Sequence, residues 1–324
     1  TSSKAGLSAT VIRPALAIEL PGGLALGLGL DVVQAKASWR HMLAFNLEKY
    51  PLPRDAYIRS NHEVSGTGIG FTAGLLWKAH PMLRFGANYQ HGVAMDLGGK
   101  NSFNIGWDND FYILPGPVEA QRRLYNLLQL YYSAQPVESR WAFPRSFAGG
   151  LEFSPSSRLS FELDLEWTGW SGMGDWTFRS LNPADELSPA FTPELQEFYG
   201  IKPDYGVQSA GLVFEDTWRI KAGLEVVPAD GFALRAGFAR HPAPMPASEI
   251  GPVFPCLDRN VVSLGFGYEG AFFSMGSDDK LGEISFDVFF QYGFSKKSVS
   301  AVTGSELAYQ DKPWTLGIGV GAIF

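Results

Sequence analysis

Residues 158–167 read Arg-Leu-Ser-Phe-Glu-Leu-Asp-Leu-Glu-Trp, and this stretch decides the fold class. Its apolar and polar residues alternate strictly, so that one face of an extended chain carries the first group and the other face the second: Leu159, Phe161, Leu163, Leu165 and Trp167 against Ser160, Glu162, Asp164 and Glu166. A period of two residues is typical of a β-strand that separates an apolar surface from a polar one.

The same alternation recurs along the chain and predicts about eleven strands of roughly ten residues each, which is the length that a tilted strand needs to cross a bilayer. The predicted strands are 9–20, 23–38, 66–78, 82–95, 144–154, 158–167, 218–226, 231–240, 260–268, 284–292 and 314–324. Aromatic residues stand at many strand ends, as in the aromatic girdles of membrane barrels: Trp77, Tyr89, Trp167, Trp170, Trp218, Tyr268, Tyr292 and Trp314.

The predicted connections alternate between short and long. Tight turns fall near 21–22, 79–81, 155–157 and 228–231, and a somewhat longer turn near 270–282, whereas the long connections are 41–65, 96–140, 171–212, 244–258 and 295–312. Short turns on one side and long loops on the other are the asymmetry of outer-membrane barrels. A soluble β-sandwich or lipocalin-like barrel also alternates, but it leaves this loop pattern unexplained.

Composition excludes several other classes. The chain has 324 residues, a net charge of −7 and one cysteine, Cys256, which argues against nucleic-acid binding, a disulfide framework and a cysteine-based metal site. No apolar run approaches the roughly 18 residues of a membrane-spanning helix. The five histidines are scattered and neither HExxH nor GxSxG occurs, so no enzymatic activity, cofactor or metal is predicted.

The strand count predicts that the barrel begins before residue 1. Bacterial single-chain barrels have an even number of strands, and an open edge is not viable in lipid. The chain starts Thr-Ser-Ser-Lys, without the signal peptide that a secreted barrel requires. We therefore expect residues 1–324 to be most of one all-β transmembrane barrel domain that lacks its first strands.

Two long loops contain apolar stripes at helical spacing. In the loop 96–140 the stripe is Leu124, Leu127, Leu128, Tyr131 and Tyr132, and in the loop 41–65 it is Leu43, Leu47 and Tyr50. A third short helix is predicted at 193–199 between Pro193 and Gly200. Two compatible interpretations remain open: the helices pack on one another as a lid, or their apolar faces border a groove for a hydrophobic ligand.

The polar face of the strands carries three cations of interest, Arg219, Lys221 and Arg235. They either pair with carboxylates of a polar barrel interior or bind the carboxylate of an amphipathic ligand, for which the planar guanidinium of arginine is well suited.

Several segments resemble the FadL/TodX family of outer-membrane transporters for long-chain fatty acids and aromatic hydrocarbons. They are 66–78, 143–153, 165–171, 215–225, 234–246 and 262–268, and the most specific are Glu-Trp-Thr-Gly-Trp at 166–170 and Asp-Thr-Trp-Arg at 216–219. The resemblance implies the last eleven strands of a fourteen-stranded barrel, with 41–65 and 96–140 as the loops that form the ligand-capturing groove. It also implies that Phe324 is an aromatic end recognised by the barrel-assembly machinery.

The expected function is passive transport of hydrophobic small molecules across the outer membrane by a monomer that contacts membrane lipid. Long-chain fatty acids are the expected substrates, and aromatic hydrocarbons are the alternative. A general diffusion porin, an outer-membrane lipase and an adhesive barrel remain rival interpretations.

Overall fold

A computed structural model of the chain describes residues 4–44, 57–106, 135–180, 207–209, 212–246, 256–273, 280–296, 298–300 and 307–323, which are mostly strands. The strands are β1 (Lys4–Ile12), β2 (Ala15–Leu20), β3 (Leu24–Ala44), β4 (Tyr57–His80), β5 (Leu83–Gln90), β6 (Val93–Gly106), β7 (Gln135–Phe143), β8 (Ser146–Ser156), β9 (Leu159–Thr168), β10 (Thr177–Ser180), β11 (Val207–Ser209), β12 (Thr217–Ala229), β13 (Phe232–His241), β14 (Arg259–Phe273), β15 (Lys280–Ser295), β16 (Ser298–Ser300), β17 (Leu307–Tyr309) and β18 (Trp314–Ile323). One 3-10 helix, Trp170–Met173, follows β9. Within these ranges no helix has both the length and the apolarity to cross a membrane.

Sixteen of these strands form one antiparallel sheet, while β16 and β17 form a separate hairpin. The main path runs through β3, β4, β5, β8, β9, β12, β13, β14, β15 and β18, so consecutive crossings are neighbours. In the described part of the chain β1 and β2 form one edge of this path and β18 the other, and the two edges do not pair.

The number of crossings agrees with the prediction. Five crossings consist of two strands separated by an interruption, namely β1 with β2, β5 with β6, β7 with β8, β9 with β10, and β11 with β12. Six are uninterrupted, namely β3, β4, β13, β14, β15 and β18. Eleven crossings result, and the predicted transmembrane β-barrel architecture is confirmed.

One face of the sheet exposes large apolar side chains, and we call it the outer face. Strongly exposed examples on four strands are Leu28, Ile69, Leu264, Ile318 and Val320, each at least 65% exposed. A soluble monomer rarely exposes a continuous apolar surface of this size, whereas a membrane barrel turns such a band towards lipid.

The chemistry of the two faces reverses along β3. Near its start the outer side chains are leucines, but beyond Val32 they are the exposed Gln34, Lys36, Ser38 and Arg40. The inner face changes in the opposite sense, from the fully buried Asp31 to the buried Val33 and Ala35. The end of β3 next to the long loops therefore projects beyond the apolar band into a polar environment.

Because strands project beyond the apolar band, the predicted bounds of the long connections 41–65 and 96–140 are wrong. β3 and β4 remain paired as far as Ala44 and Tyr57, and β6 continues to Gly106 before β7 begins at Gln135. Leu43 pairs with Ile58 in this ladder, so the helix predicted in the loop 41–65 does not include residues 41–44. The remaining residues of these helices, and the helix predicted at 193–199, lie outside the described residues.

A register shift on β4 turns the apolar side chains of β6 towards the interior, at the long-loop end of the sheet. β4 pairs with β5 up to Thr72↔Gln90 and with β6 from Ser65↔Gly98, which leaves six residues on β4 opposite seven on its partner. One extra residue exchanges the faces of a strand with period two. Odd-numbered residues point outwards in β5 but point inwards in β6, where Val93 and Leu97 are buried.

The inward segment lies directly on glycines of β4. A Cβ added at Gly68 would come within 2.5 Å of Cγ1 of Val93, and one added at Gly70 within 2.6 Å of its Cγ2. These distances are too short for real Cβ contacts, so glycine permits the close approach of the two strands.

We expect Gly68→Ala to destabilise the folded protein by about 1–3 kcal/mol, because the β-branched Val93 has little freedom to move away. Denaturant unfolding of the protein refolded in lipid vesicles measures this. Gly86→Ala is the matched control, since a Cβ there meets nothing within 4 Å; equal losses in both variants would contradict the assigned packing.

Candidate functional site

An apolar cluster fills the inner face at the long-loop end of the sheet. Its buried members are Val33, Ala35, Val64, Val93, Met95, Leu97, Val137, Trp141, Met173, Trp176 and Phe178. At its centre the rings of Trp141 and Trp176 stack with centroids 4.1 Å apart and planes 16° apart. We call this set the inner apolar cluster.

A second group of rings extends the cluster across β3, β4 and β10. His62 stacks on Trp39 with ring centroids 5.8 Å apart, and Phe178 lies 5.1 Å from His62. His62 is 1% exposed. A buried imidazole between aromatic rings provides an apolar wall with one polar group in it, which is typical of a small-molecule site.

The sequence interpretation missed these residues because most of them lie in segments assigned to long loops. Trp141 follows Val137 and Ser139 at a period of two, and that alternation was the available signal. Trp170, predicted for the membrane girdle, instead packs against the inner apolar cluster and stacks on Phe214 with centroids 6.4 Å apart. Trp77, Trp218 and Trp314 lie on the outer face and are exposed, as girdle residues are.

Two predicted cations meet next to this cluster. Arg219 Nη1 donates to both carboxylate oxygens of Glu166 at 3.2 Å, and Lys221 Nζ lies 3.3 Å from Oε2 of the same carboxylate. Two cations share one carboxylate, and Nε of Arg219 is buried without a hydrogen bond to the described residues. We call Glu166, Arg219 and Lys221 the mouth cluster, since β9 and β12 lead from it directly to Trp170 and Phe214.

Arg235 occupies a different place. Its Nε donates to Glu225 at 2.6 Å and its Nη1 to Asp287 at 3.0 Å, so two carboxylates hold it. Glu225 follows Arg219 on β12 by six residues, or roughly 20 Å of strand. The structure therefore brings Arg219 and Lys221 together and leaves Arg235 apart, nearer the short turns.

The wall around Arg235 is acidic. Register places Arg84 opposite Glu152, Glu152 opposite Glu162, and Glu225 opposite Arg235. Glu162 makes no ion pair among the described residues. Around Arg235 and Arg84 there are thus four carboxylates for two guanidiniums, namely Glu152, Glu162, Glu225 and Asp287. The inner face thus changes from two cations beside Glu166, with Asp164 opposite Lys221 in the ladder, to an excess of anions below them.

Polar contacts also fix the connections at the long-loop end. Asp216 accepts a hydrogen bond from the backbone N of Ser171 at 2.9 Å, and contacts with Ser171 lower the pKa of the Asp216 carboxyl. Arg259 donates to Asp311, whose backbone N donates to Oγ of Ser295 at 2.8 Å. Burial alone would raise the pKa of Asp311, but the hydrogen bonds from Arg259 and Ser295 outweigh it and hold that pKa below its ordinary value.

The predicted groove is outside the part of the chain that the structure describes. Only the backbone of Leu43 is described, within β3. Phe324 lies outside the described residues. So do the other predicted groove residues: Leu47, Leu124, Leu127, Leu128, Tyr131 and Tyr132. These assignments stay predictions.

Residues 1–315 match the profile of the family described as outer membrane protein transport protein (OMPP1/FadL/TodX). The chain belongs to the OMPP1/FadL/TodX family. No curated protein sequence matches it significantly.

Solved structures similar to the chain include three that share its fold at low identity. A Pseudomonas aeruginosa FadL homologue is 18% identical with a TM-score of 0.70, covering 98% of this chain and 67% of that one. The P. putida toluene transporter TodX is 16% identical with a TM-score of 0.60, covering 98% and 69%. The Ralstonia pickettii toluene transporter TbuX is 15% identical with a TM-score of 0.55, covering 97% and 67%, so the chain spans about two thirds of each.

Membership of the OMPP1/FadL/TodX family places the chain in the outer membrane as a transport protein for hydrophobic compounds. Family members and similar structures are transporter channels and not enzymes. The inner apolar cluster and the mouth cluster are accordingly the candidate ligand-contacting features of this transporter.

We expect Trp141→Ala to destabilise the protein by about 3–5 kcal/mol, because it removes a fully buried ring and leaves a cavity beside Trp176. Denaturant unfolding in vesicles measures the loss. Trp314→Ala, on the exposed outer face, should cost clearly less; the reverse order would show that Trp141 does not pack in the core.

The lowered pKa of Asp311 predicts a pH-dependent contribution to stability. A depressed folded-state pKa adds stability that is present above the unfolded pKa of about 4 and is lost as the pH falls through the folded pKa. Asp311→Asn should therefore be less stable than the parent at pH 7, by about 1–3 kcal/mol, and should approach it in strong acid.

Unfolding midpoints of both proteins between pH 7 and pH 2 test this. Asp230→Asn is the control, because Asp230 is fully exposed and 3.7 Å from Arg158. A gap between Asp311→Asn and the parent that is constant with pH would contradict the ionic role of Asp311.

Proposed function

We propose that the chain takes up amphipathic hydrophobic molecules with an anionic head group, long-chain fatty acids first, and that Arg219 and Lys221 bind the head. The observation that carries this is the mouth cluster, in which two cations share Glu166 and no described residue accepts a hydrogen bond from Nε of Arg219. An incoming carboxylate balances the charge of the second cation.

The apolar part of such a ligand finds its partner on the same strands. Trp170 lies four residues after Glu166 and Phe214 five residues before Arg219, and both pack against the inner apolar cluster. Each methylene group that moves from water into apolar surroundings contributes about 0.8 kcal/mol. A bidentate contact with Arg219 orients the head, because the guanidinium fork matches carboxylate geometry.

Arg235 has no part in this proposal, although the sequence makes it a candidate. Glu225 and Asp287 already saturate its charge, and the carboxylates around it repel an anion. The predicted groove residues of the loops remain candidates for the first contact with ligand.

Aromatic hydrocarbons are the second candidate substrates. The stacked Trp141 and Trp176, with Met95 and Met173, make the interior at the long-loop end apolar and aromatic, an environment that suits a neutral ring. Similar solved structures include proteins described as monoaromatic hydrocarbon channels. Neutral substrates need no cation at the mouth, and this difference separates the two candidates.

Replacing Arg219 by Ala should weaken oleate binding by roughly 10- to 100-fold, because the loss of a charge-assisted hydrogen bond costs about 1.5–3 kcal/mol. Toluene binding should change less than about twofold. Titration of both ligands into the purified full chain, followed by tryptophan fluorescence or calorimetry, measures the two affinities.

Arg240→Ala is the matched control for this experiment. Arg240 is also a strand arginine that pairs with a carboxylate, Asp258 at 3.1 Å, but it lies on the outer face. Oleate affinity should be unchanged in this variant. Equal losses of oleate and toluene binding in Arg219→Ala would exclude the head-group role, and unchanged oleate binding would favour neutral substrates.

A further inference from the structure

The outer face of β1, β3, β4 and β6 has a surface that transport does not explain. Where these strands leave the apolar band, their outward side chains form regular rungs across the sheet. One rung contains Lys36, Ser65 and Gly98, and the next contains Ser38, Glu63 and Lys100. A third places Arg40 opposite Asn61.

These rungs lie at the level of lipid head groups. The last apolar rung of the outer face pairs Val32 with Ile69, and Lys36 is four residues further along β3. Four residues rise roughly 13 Å along a strand, or about 10 Å along the membrane normal at the usual barrel tilt. The head-group region begins at that boundary and is several ångströms deep, and a lysine side chain reaches back towards it.

The cations on this surface form no ion pairs with the residues that the structure describes. Lys36, Arg40 and Lys100 are exposed, and none of them forms an ion pair in the described ranges. Glu63 stands opposite Lys100 and accepts a hydrogen bond from Nδ2 of Asn61 at 3.1 Å, and Glu138 of β7 continues the rung of Lys36 beyond Gly98. Most strand arginines are ion-paired, as are Arg84, Arg219 and Arg259. We call Lys36, Arg40 and Lys100 the outer basic patch.

A depression of about 620 Å³ lies among these residues. Lys36, Lys100 and the carboxylate Glu63 line it, and its floor includes residues with small side chains or none: Gly6, Ser8, Ser38, Ser65 and Gly98. A Cβ at Gly98 would meet nothing within 4 Å, so the floor is open there. Hydroxyl groups and ammonium groups around an open floor suit a phosphorylated, hydroxyl-rich head group.

We propose that the outer basic patch binds the phosphates of anionic lipid head groups in the leaflet on the long-loop side of the membrane. A lipid is the expected source of the phosphate because a single polar rung, Gln34 opposite Thr67, separates the depression from the apolar band of Leu28, Leu30 and Ile69, which accommodates acyl chains. On a chain with a net charge of −7, a local excess of unpaired cations at this level complements an anionic lipid surface.

Native mass spectrometry of the full chain in detergent, titrated with diphosphoryl lipid A, tests the proposal. A cation near the membrane surface contributes about 1 kcal/mol, so Lys36→Gln and Lys100→Gln should each weaken lipid A binding about fivefold, and the double variant about 30-fold. Lys78→Gln, at the short-turn end of β4, is the matched control and should bind as the parent does.

Glu63→Gln should increase the affinity for lipid A, a change that misfolding of the variant would not produce. Removing this carboxylate should tighten lipid A binding about fivefold by the same arithmetic. Phosphatidylcholine should bind equally to all variants, and inorganic phosphate at equal concentration should not displace lipid A. Unchanged lipid A affinity in the double variant, an equal loss in Lys78→Gln, or displacement by inorganic phosphate would each overturn the proposal.

Discussion

β4 pairs with β5 in one register and with β6 in a register shifted by one residue, and much of the structure depends on this shift. Because side chains alternate with a period of two, the extra residue turns the apolar side of β6 from lipid to the interior. β7 and β8 keep the same register with β6 and β5, so that β7 turns with it and carries Trp141 inwards. The glycines of β4 make room for this crossing.

Because of the bilayer boundary and the register shift, the polarity of the two faces reverses along the strands. Inside the membrane the outer face is apolar and the inner face is polar, while beyond it the inner face is apolar and the outer face is polar. An apolar compound leaving water therefore meets an apolar interior at the long-loop end, next to the mouth cluster. Polar groups follow further in, where the carboxylates around Arg235 prevail.

Charge pairing distinguishes residues that look equivalent in the sequence. Arg219, Lys221 and Arg235 all lie on the polar face of their strands, as predicted. Glu166 serves two of these cations, whereas two carboxylates serve the third. The members of the outer basic patch differ from most strand arginines, because they form no ion pair with a described residue although Glu63 stands opposite Lys100. We propose ligand binding at both places on the basis of such an imbalance of charge.

The sequence by itself determined the class of protein and the number of crossings. Alternation is a local property, so 158–167 and ten similar stretches predicted the strands, and the loop asymmetry predicted the membrane. The projecting ends of β3, β4, β6 and β7 were missed, because in β3 the apolar set moves from even to odd positions after Val32 and the stretch no longer reads as one strand. Only the tertiary structure decided that Trp141 meets Trp176 and that Arg219 and Lys221 meet at Glu166. Those contacts join residues far apart in the chain through strand register, which single-strand periodicity does not encode.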